Sequence, residues 1–334
     1  ATSGEDLVGR HGFALSGTVS GGAGSFNGFG SYSYAGLENP VLSFSASQSY
    51  DAAGQPWAGV TESQDTVPIF LVERARAVGA GASFLRRSYR TRTSFSLAAS
   101  HIWEERFFLE EGLEESHRFR LSRPDVRLAE LRAALSFGNA RRHAFSLSPE
   151  DGAGLYVRGR VRHDLTLADS LRDQTGWDRS FTDLIGQVTA YKGFTGPGFG
   201  NHVLAFRASG GAAGGPGADA FHFEVGGSSG GSLPLEFIDL GQGLFFPVRG
   251  YATASRWGRY AWSASVEYRF PLKLVNKGAG LFPLHLDWVS GSFFFDGGNA
   301  WGPELGIRGF ENPRRDALFS AGAEVVIRTL PLWF

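Results

Sequence analysis

A few short stretches of the sequence combine residue types that could carry out chemistry. Residues 226–230 read GGSSG and fit the G-x-S-x-G pattern of a serine nucleophile, but that nucleophile needs a strand, a tight turn and then a helix, and a Gly-rich stretch follows here. The eight histidines are scattered without an H-E-x-x-H pattern, so we interpret His202 and His222 as wall or interface positions. The sequence therefore predicts no enzyme, no catalytic residue, no metal site and no cofactor.

Three groups of charged residues could have a function without being catalytic. The stretch EERFFLEEGLEE (104–115) is predicted to be a solvated acidic loop, with contact to divalent cations or lipopolysaccharide as the alternative. Arg158, Arg160 and Arg162 alternate along one segment; they could create an anion-selective field or pair with acids on a loop. Arg249 lies in FPVRGYATASRWG, a stretch without alternation, and its position alone favours a solvated loop residue.

The composition narrows the class of protein that could hold these residues. The chain of 334 residues has no cysteine, which excludes disulfides and thiolate metal sites, and no methionine, which suggests a mature form, an excised domain or a fragment. Its net charge of −1 gives no reason to expect a nucleic-acid partner. The sequence has no run of about 18 apolar residues, so it predicts no transmembrane helix. No charged and apolar leader pattern begins the chain, so we expect any signal peptide to have been removed.

The hydrophobic pattern has a period of two residues, which is typical of half-buried β-strands. In GRYAWSASVEYRF, for example, an apolar row containing Trp262 and Val266 alternates with a polar row containing Ser263 and Ser265. About fourteen segments show this pattern. They lie near residues 11–19, 26–35, 40–50, 67–76, 79–88, 93–104, 126–138, 153–164, 182–193, 202–210, 220–227, 258–270, 286–299 and 316–328.

Long strands with one apolar face fit either a soluble β-protein or an outer-membrane barrel whose apolar face meets lipid. Connections that alternate in length favour the membrane barrel. Short turns are predicted at 77–83 and 195–202, and long polar loops at 51–66, 104–124, 165–180 and 228–257. Aromatic residues near strand ends are predicted to form interfacial girdles; they are Tyr50, Trp103, Tyr260, Trp288 and Trp301.

Four motifs in the last third of the chain carry a family resemblance. A strand ends in Gly-Gly (226–227), a long loop contains VRGY (248–251), a strand reads EYRFP (267–271), and FFDGGNAW (294–301) fits F-x-D-x-G-x-x-W. In this order they resemble the C-terminal barrel of the BamA/TamA-like surface-antigen superfamily of outer-membrane assembly and translocation proteins. That resemblance implies an all-β transmembrane antiparallel barrel of sixteen-strand architecture, with a long extracellular loop folded into the lumen.

The resemblance also implies roles for individual residues. Arg249 matches the loop arginine that pairs with acids on the barrel wall, and Asp296 and Glu267 match those acids; ordinary lumen-lining charges are the alternative for both. Val248, Gly250 and Tyr251 complete the loop motif, and Phe294, Gly298 and Trp301 complete the strand motif. By resemblance, the chain would insert or translocate proteins in the outer membrane of a Gram-negative-type bacterium. A passive porin-like channel is the alternative.

The same resemblance sets expectations for partners and boundaries. Expected partners are outer-membrane lipids or lipopolysaccharide, client outer-membrane or secreted proteins, and a periplasmic or fused N-terminal domain. Residues 1–334 are expected to form one barrel domain without a POTRA module. Fourteen segments against the family's sixteen strands suggest trimming at one or both ends, whereas a barrel closed at fourteen strands, with Phe334 as a terminal assembly signal, is the competing interpretation.

Overall fold

The structure, a computed structural model, describes residues 2–6, 8–20, 25–60, 66–110, 119–143, 146–167, 179–215, 223–227, 246–279, 282–302 and 316–331. All regular elements in these ranges are β-strands. No helix within them is long and apolar enough to cross a membrane. The strands are β1 (Thr2–Glu5), β2 (His11–Ser20), β3 (Ser25–Tyr34), β4 (Val41–Val60), β5 (Thr66–Arg87), β6 (Arg92–Glu110), β7 (Phe119–Gly138), β8 (Asp151–Asp164), β9 (Ser180–Phe194), β10 (His202–Gly214), β11 (Phe223–Val225), β12 (Arg256–Gly258), β13 (Tyr260–Ala279), β14 (Phe282–Trp301) and β15 (Leu318–Pro331).

Thirteen of these strands form one antiparallel sheet in chain order, in which β10 pairs directly with β13. The short strands β11 and β12 pair with each other inside the connection 215–259. Within the described residues, no pairing joins β1 to β15. We call the end of the sheet that carries the connection 215–259 the loop end. The opposite end, which carries 139–150 and 195–201, is called the turn end.

The two faces of the sheet have the reverse of the usual polarity of a soluble protein. Phe206, Val266 and Phe295 point outward and remain 41%, 42% and 54% exposed, whereas Ser263 and Asp296 on the opposite face are buried. An apolar outer face and a polar inner face are what a barrel wall surrounded by lipid requires. The predicted all-β fold, with its alternating faces, is confirmed.

The sheet curls so that distant strands share one interior, which we call the lumen. A cavity of about 410 Å³ is lined on one side by Leu147 and Ser148, from the connection between β7 and β8. Its other side is formed by β13, β14 and β15, through residues that include Arg269, Ser292 and Glu324. Arg249, from the connection at the loop end, lines the same cavity, so chain segments from both ends of the sheet enter the lumen.

The predicted turn at 77–83 is wrong, because β5 runs without interruption through it. The glycines in residues 77–83 allow β5 and its neighbouring strands to pack closely. A Cβ atom on Gly79 would lie 3.2 Å from the Ala99 carbonyl oxygen, and one on Gly81 would lie 3.0 Å from the Leu97 carbonyl oxygen. Glycine in a strand interior commonly marks such a close approach of neighbouring backbone, and here it resembled a turn signal.

Several long strands also extend into regions that were predicted as loops. Residues 51–60 belong to β4, and residues 104–110 and 119–124 belong to β6 and β7, so the polar composition of these stretches marks long hairpins. Of the predicted strand 220–227, residues 220–222 lie outside the described residues, and residues 223–225 form β11, which pairs with β12 and not with the main sheet.

These differences account for the strand number. Fourteen segments were predicted, and two of them merge into β5. The segment at 220–227 contributes no strand to the main sheet, and β1 was not predicted. Together these changes give the thirteen strands of the main sheet. The girdle assignment also changes at one position. Trp288 is 6% exposed and lines the lumen cavity, because it shares a face with Ser290 and Ser292.

Candidate functional site

The described part of the connection 215–259 is anchored in the lumen by an apolar cluster. Phe223, Val225, Phe246 and Val248 are fully buried. They pack against small or aliphatic wall residues, namely Ile185, Ala213, Ala261, Ala300 and Leu318. Burial of four large side chains stabilises the docked position by an amount on the order of several kcal/mol. We call residues 246–251 the loop tip.

The Gly-Gly pair holds the two arms of this connection together. The Gly226 N–H donates to the Phe246 carbonyl oxygen at 3.1 Å, and the Gly227 N–H donates to the Tyr251 carbonyl oxygen at 3.0 Å. Gly226 has a φ of +129°, and a Cβ atom there would lie 2.3 Å from the Ala252 carbonyl oxygen. Only glycine fits this backbone position. The pair is therefore a bend beside the loop tip.

Arg249 of the loop tip forms a two-point contact with Asp296 of β14. Its Nε donates to Oδ2 at 2.6 Å, and its Nη2 donates to Oδ1 at 2.7 Å. The Ser265 hydroxyl donates to the same Oδ1 at 2.6 Å. Asp296 is fully buried. A planar fork facing a carboxylate gives geometric specificity as well as strength.

The other side of the guanidinium faces a second acid. Arg249 Nη1 lies 2.7 Å from Glu267 Oε1, and the guanidinium carbon lies 3.6 Å from the centre of the Phe294 ring. Arg269 holds Glu267 in turn, because its Nε donates to Glu267 Oε2 at 2.8 Å. The structure thus brings together Arg249, Asp296 and Glu267, three residues that are 47 and 18 positions apart in sequence (296 − 249 and 267 − 249).

Two further acceptors link the loop tip to β15, and neither of them was predicted from the sequence. Glu324 Oε2 lies 3.6 Å from Arg249 Nη1, and the Tyr251 hydroxyl donates to the Phe319 carbonyl oxygen at 2.9 Å. Glu324 shares the lumen-facing parity of β15, so its position on the polar face was the signal available in the sequence. The loop tip therefore contacts three consecutive strands, β13, β14 and β15.

The two neighbouring carboxylates keep the guanidinium of Arg249 protonated. Burial by itself lowers the pKa of Arg249, but its hydrogen bonds to Asp296 and the negative charge of Glu267 outweigh burial and raise the pKa above the usual value. Arg249 is therefore protonated throughout the physiological pH range, and the pair cannot act as a pH switch through loss of this proton.

The remaining strand-motif residues divide between the two faces. Gly298 faces the lumen, where a Cβ atom would lie 2.8 Å from Val248 Cγ2 and 3.0 Å from Val225 Cγ1. Trp301 faces outward, 48% exposed, and stacks on Tyr260 with ring centres 5.8 Å apart. Alternate residues of the motif thus receive the loop tip, and its last residue contributes to the outer aromatic surface.

Gly298 should therefore control whether the loop tip can dock. We expect Gly298→Val to destabilise the folded barrel by about 1–3 kcal/mol, since overpacking forces neighbouring groups to move. The displaced tip should also expose the Arg249–Gly250 bond, which limited trypsin digestion followed by mass spectrometry would detect. Gly210→Val is the matched control, because a Cβ atom on Gly210 meets nothing within 4 Å. Equal trypsin resistance of both variants would contradict the assignment.

A second charged group occupies the lumen wall formed by β7, β8 and β9. Arg160 Nε lies 2.6 Å from Asp183 Oδ2, Arg158 Nη2 lies 3.3 Å from Asp183 Oδ1, and Arg162 Nε lies 2.6 Å from Glu130 Oε2. These acids belong to neighbouring strands, an arrangement that neither alternative for the arginine row foresaw. Glu130 and Asp183 lie on the polar face of their own strands, which was the signal that could have found them.

The remaining sequence candidates have more ordinary positions. Glu105, from the stretch predicted as an acidic loop, lies in β6 and pairs with Arg74 and Arg76. The buried His202 is held between the Tyr268 hydroxyl and the Pro197 carbonyl oxygen, at 2.6 and 2.9 Å, which fits a wall position. His222 and residues 228–230 lie outside the described residues.

Comparison with solved structures finds the same architecture. The chain is similar to CdiB from Escherichia coli, with a TM-score of 0.60 and 13% identity over 98% of this chain and 52% of that chain. It is also similar to CdiB from Acinetobacter baumannii, with a TM-score of 0.53 and 12% identity over 94% of this chain and 46% of that chain. A structure of BamA from Haemophilus ducreyi lacking POTRA domains 1–3 matches with a TM-score of 0.47 and 13% identity, covering 94% of this chain and 63% of that chain.

No protein-family model matches the chain, and no curated protein matches it in sequence. The chain spans about half the length of the two CdiB proteins. At this level of identity the likeness concerns the fold alone, and it confirms the predicted all-β barrel architecture.

Proposed function

We propose that the chain forms the membrane-embedded barrel of an outer-membrane protein that inserts or translocates other proteins. The observation that supports this proposal is that the Arg249 guanidinium pairs with both Asp296 and Glu267 inside a barrel that resembles the BamA/TamA type. In this proposal the loop tip braces the lumen, with Val248, Gly250 and Tyr251 docking on Phe294, Gly298 and the backbone of β15. A buried ion pair fixes geometry more than it adds net stability.

The proposed mechanism uses the last strands of the sheet. Through Glu324 and the Phe319 carbonyl oxygen, the loop tip is attached to β15, so its docking would hold this strand in position. A strand edge offers unpaired backbone groups, and a client strand can add to it by β-augmentation. The partners of the proposal are client outer-membrane or secreted proteins, the surrounding lipids, and a periplasmic or fused N-terminal domain that would recruit clients.

The proposal is tested by reconstitution. The full-length protein, purified and placed in liposomes, should accelerate the insertion or transport of a barrel client above the rate of empty liposomes, as read by protease protection of the client. The same preparation should show no large steady conductance in planar bilayers. Steady conductance without any effect on clients would replace the proposal by a passive channel. The apolar anchoring of the loop tip in the lumen argues against a wide pore.

A further inference from the structure

The outward face of the first strands carries a groove that the proposed function does not use. It has a volume of about 950 Å³ and is lined mainly by apolar or small residues, among them Leu15, Phe26, Gly28, Gly30, Ala46 and Val78. Leu15 and Val78 are 53% and 47% exposed, which places the groove on the face that would meet lipid. It therefore lies on the opposite side of the sheet from the loop tip.

Strand pairing explains the depression. Along one row across the sheet, Gly30 stands opposite both Leu15 and Ala46. In the next row toward the loop end, Gly28 stands opposite Gly17 and Gln48. The Phe26 ring lies against Gly17 and Gly28, where a Cβ atom on Gly28 would be 2.5 Å from Phe26 Cε1. The rows therefore leave a hollow over Ala46 and beside Gly30, bordered by Phe26 and Val78. A hollow of this kind in an apolar surface can take an acyl chain.

The groove ends at a polar row nearer the loop end. Gln48 pairs with Arg76 across β4 and β5, and Arg76 pairs with Trp103 across β5 and β6. The Arg76 side chain is 44% exposed, and its Nε donates to Gln48 Oε1 at 2.8 Å. This row is where the outward face changes from apolar to charged, and arginine and tryptophan are typical residues of a membrane interface.

The charge of this row favours an anion. Arg74 and Arg76 share one carboxylate, that of Glu105, whose Oε1 lies 3.7 Å from Arg76 Nη1. Arg76 itself is held by a neutral amide and by a carboxylate oxygen 3.7 Å away, so its exposed guanidinium can pair with a further anion. Arginine binds phosphate through paired N–H groups. A phosphate at Arg76 and an acyl chain in the hollow could therefore belong to one molecule.

We propose that the groove with Arg76 at its polar end binds lipid A, the phosphorylated and acylated anchor of lipopolysaccharide. A phosphate of lipid A accepts hydrogen bonds from Arg76, and one acyl chain lies over Ala46, between Phe26 and Val78. This inference rests on the proposed function in one respect, because it requires the loop end to face outward in an outer membrane, where lipopolysaccharide forms the outer leaflet.

Two variants and two matched controls test the site. Arg76→Gln removes the charge, with Arg86→Gln as its control, because Arg86 is exposed near the opposite end of the same strand. Ala46→Phe fills the hollow, with Ala80→Phe as its control, because Ala80 is exposed on the same face and does not line the groove. Folding of each variant is checked by its heat-modifiable migration on gels.

Binding is measured by native mass spectrometry of the detergent-purified protein titrated with bis-phosphorylated lipid A, its dephosphorylated form, and phosphatidylglycerol. We expect Arg76→Gln and Ala46→Phe each to weaken lipid A binding about tenfold, the scale of one charge-assisted contact, with both controls unchanged. Equal binding by all variants, equal binding of the dephosphorylated form, or equally tight binding of phosphatidylglycerol would each overturn the inference. Cell fractionation tests the outer-membrane location separately, so failure of the proposed function is recognised independently.

Discussion

Replacing Arg249 by alanine should abolish most client assembly and lower the free energy of unfolding of the barrel by about 3–5 kcal/mol. The reason is the position of Asp296, which is fully buried and receives two hydrogen bonds from the guanidinium. Without Arg249, this carboxylate would stay buried in the lumen wall with the Ser265 hydroxyl as its side-chain donor and only the more distant charge of Arg207 to offset its own. An unpaired buried charge is among the most destabilising changes a single substitution can make.

The loss of stability is measured by urea-induced unfolding in detergent micelles, followed by tryptophan fluorescence. Arg328→Ala is the matched control, since Arg328 also faces an aspartate, Asp287, but at 3.4 Å and with 39% of its side chain exposed. For such an exposed pair we expect a change below about 1 kcal/mol. Arg249→Lys should behave like the alanine variant in assembly, because lysine keeps the charge but loses the planar fork.

A cross-link can separate docking of the loop tip from the charge of Arg249. A Cβ atom on Gly250 would lie 3.9 Å from Ser320 Cβ, within the range of disulfides, and the chain has no other cysteine. Gly250 has a φ of +85°, so Gly250→Cys adds backbone strain, and its effect is judged against the reduced form of the same double-cysteine variant. If Arg249 acts by holding the tip, Gly250→Cys with Ser320→Cys should restore assembly to Arg249→Ala under oxidising conditions and lose that effect on reduction. Wild-type assembly by Arg249→Ala itself would refute the bracing role.

The sequence predicts the parts of the candidate site that lie in recognised motifs or follow from the alternation of inward and outward residues along a strand. The motif order indicated that Arg249 approaches Glu267 and Asp296. Alternation agrees with this, because Glu267 continues the polar row of Ser263 and Ser265. Glu324 lies in a strand without a recognised motif, and its contact with Arg249 depends on the curl of the sheet, which no local pattern encodes. Arg269 lies in the same polar row as Glu267, but its contact with Glu267 depends on side-chain conformation.

The elements show a similar division between local and long-range information. Period-two segments correctly predicted the wall strands, whereas Gly79 and Gly81 were misread as a turn because glycine has the same composition signal in a turn and at a close strand contact. The stretch 220–227 alternates like a wall strand, but apolar contacts keep Phe223 and Val225 inside the lumen. Only the tertiary packing distinguishes these cases.

Asp183 should be the second most sensitive position of the described lumen. We expect Asp183→Asn, which changes charge but hardly changes shape, to lower the free energy of unfolding by about 3–5 kcal/mol. This acid is shared by two buried arginines, with its Oδ2 2.6 Å from Arg160 Nε and its Oδ1 3.3 Å from Arg158 Nη2. The substitution would leave Glu130, 3.8 Å from Arg160 Nη1, as the nearest acid on the neighbouring strand.

The control is Asp151→Asn, the same substitution on β8, where the carboxylate pairs with Lys192 at 2.9 Å on an exposed surface. The urea midpoint of this variant should match the wild type. If the Asp183→Asn curve also matches it, the arginine row must be neutralised by acids outside the described residues. Client assembly distinguishes the roles of Asp183 and Arg249. Asp183 pairs with arginines of the lumen wall, whereas Arg249 holds the loop tip through other acids. At temperatures where Asp183→Asn remains folded it should still assemble clients, whereas Arg249→Ala should not.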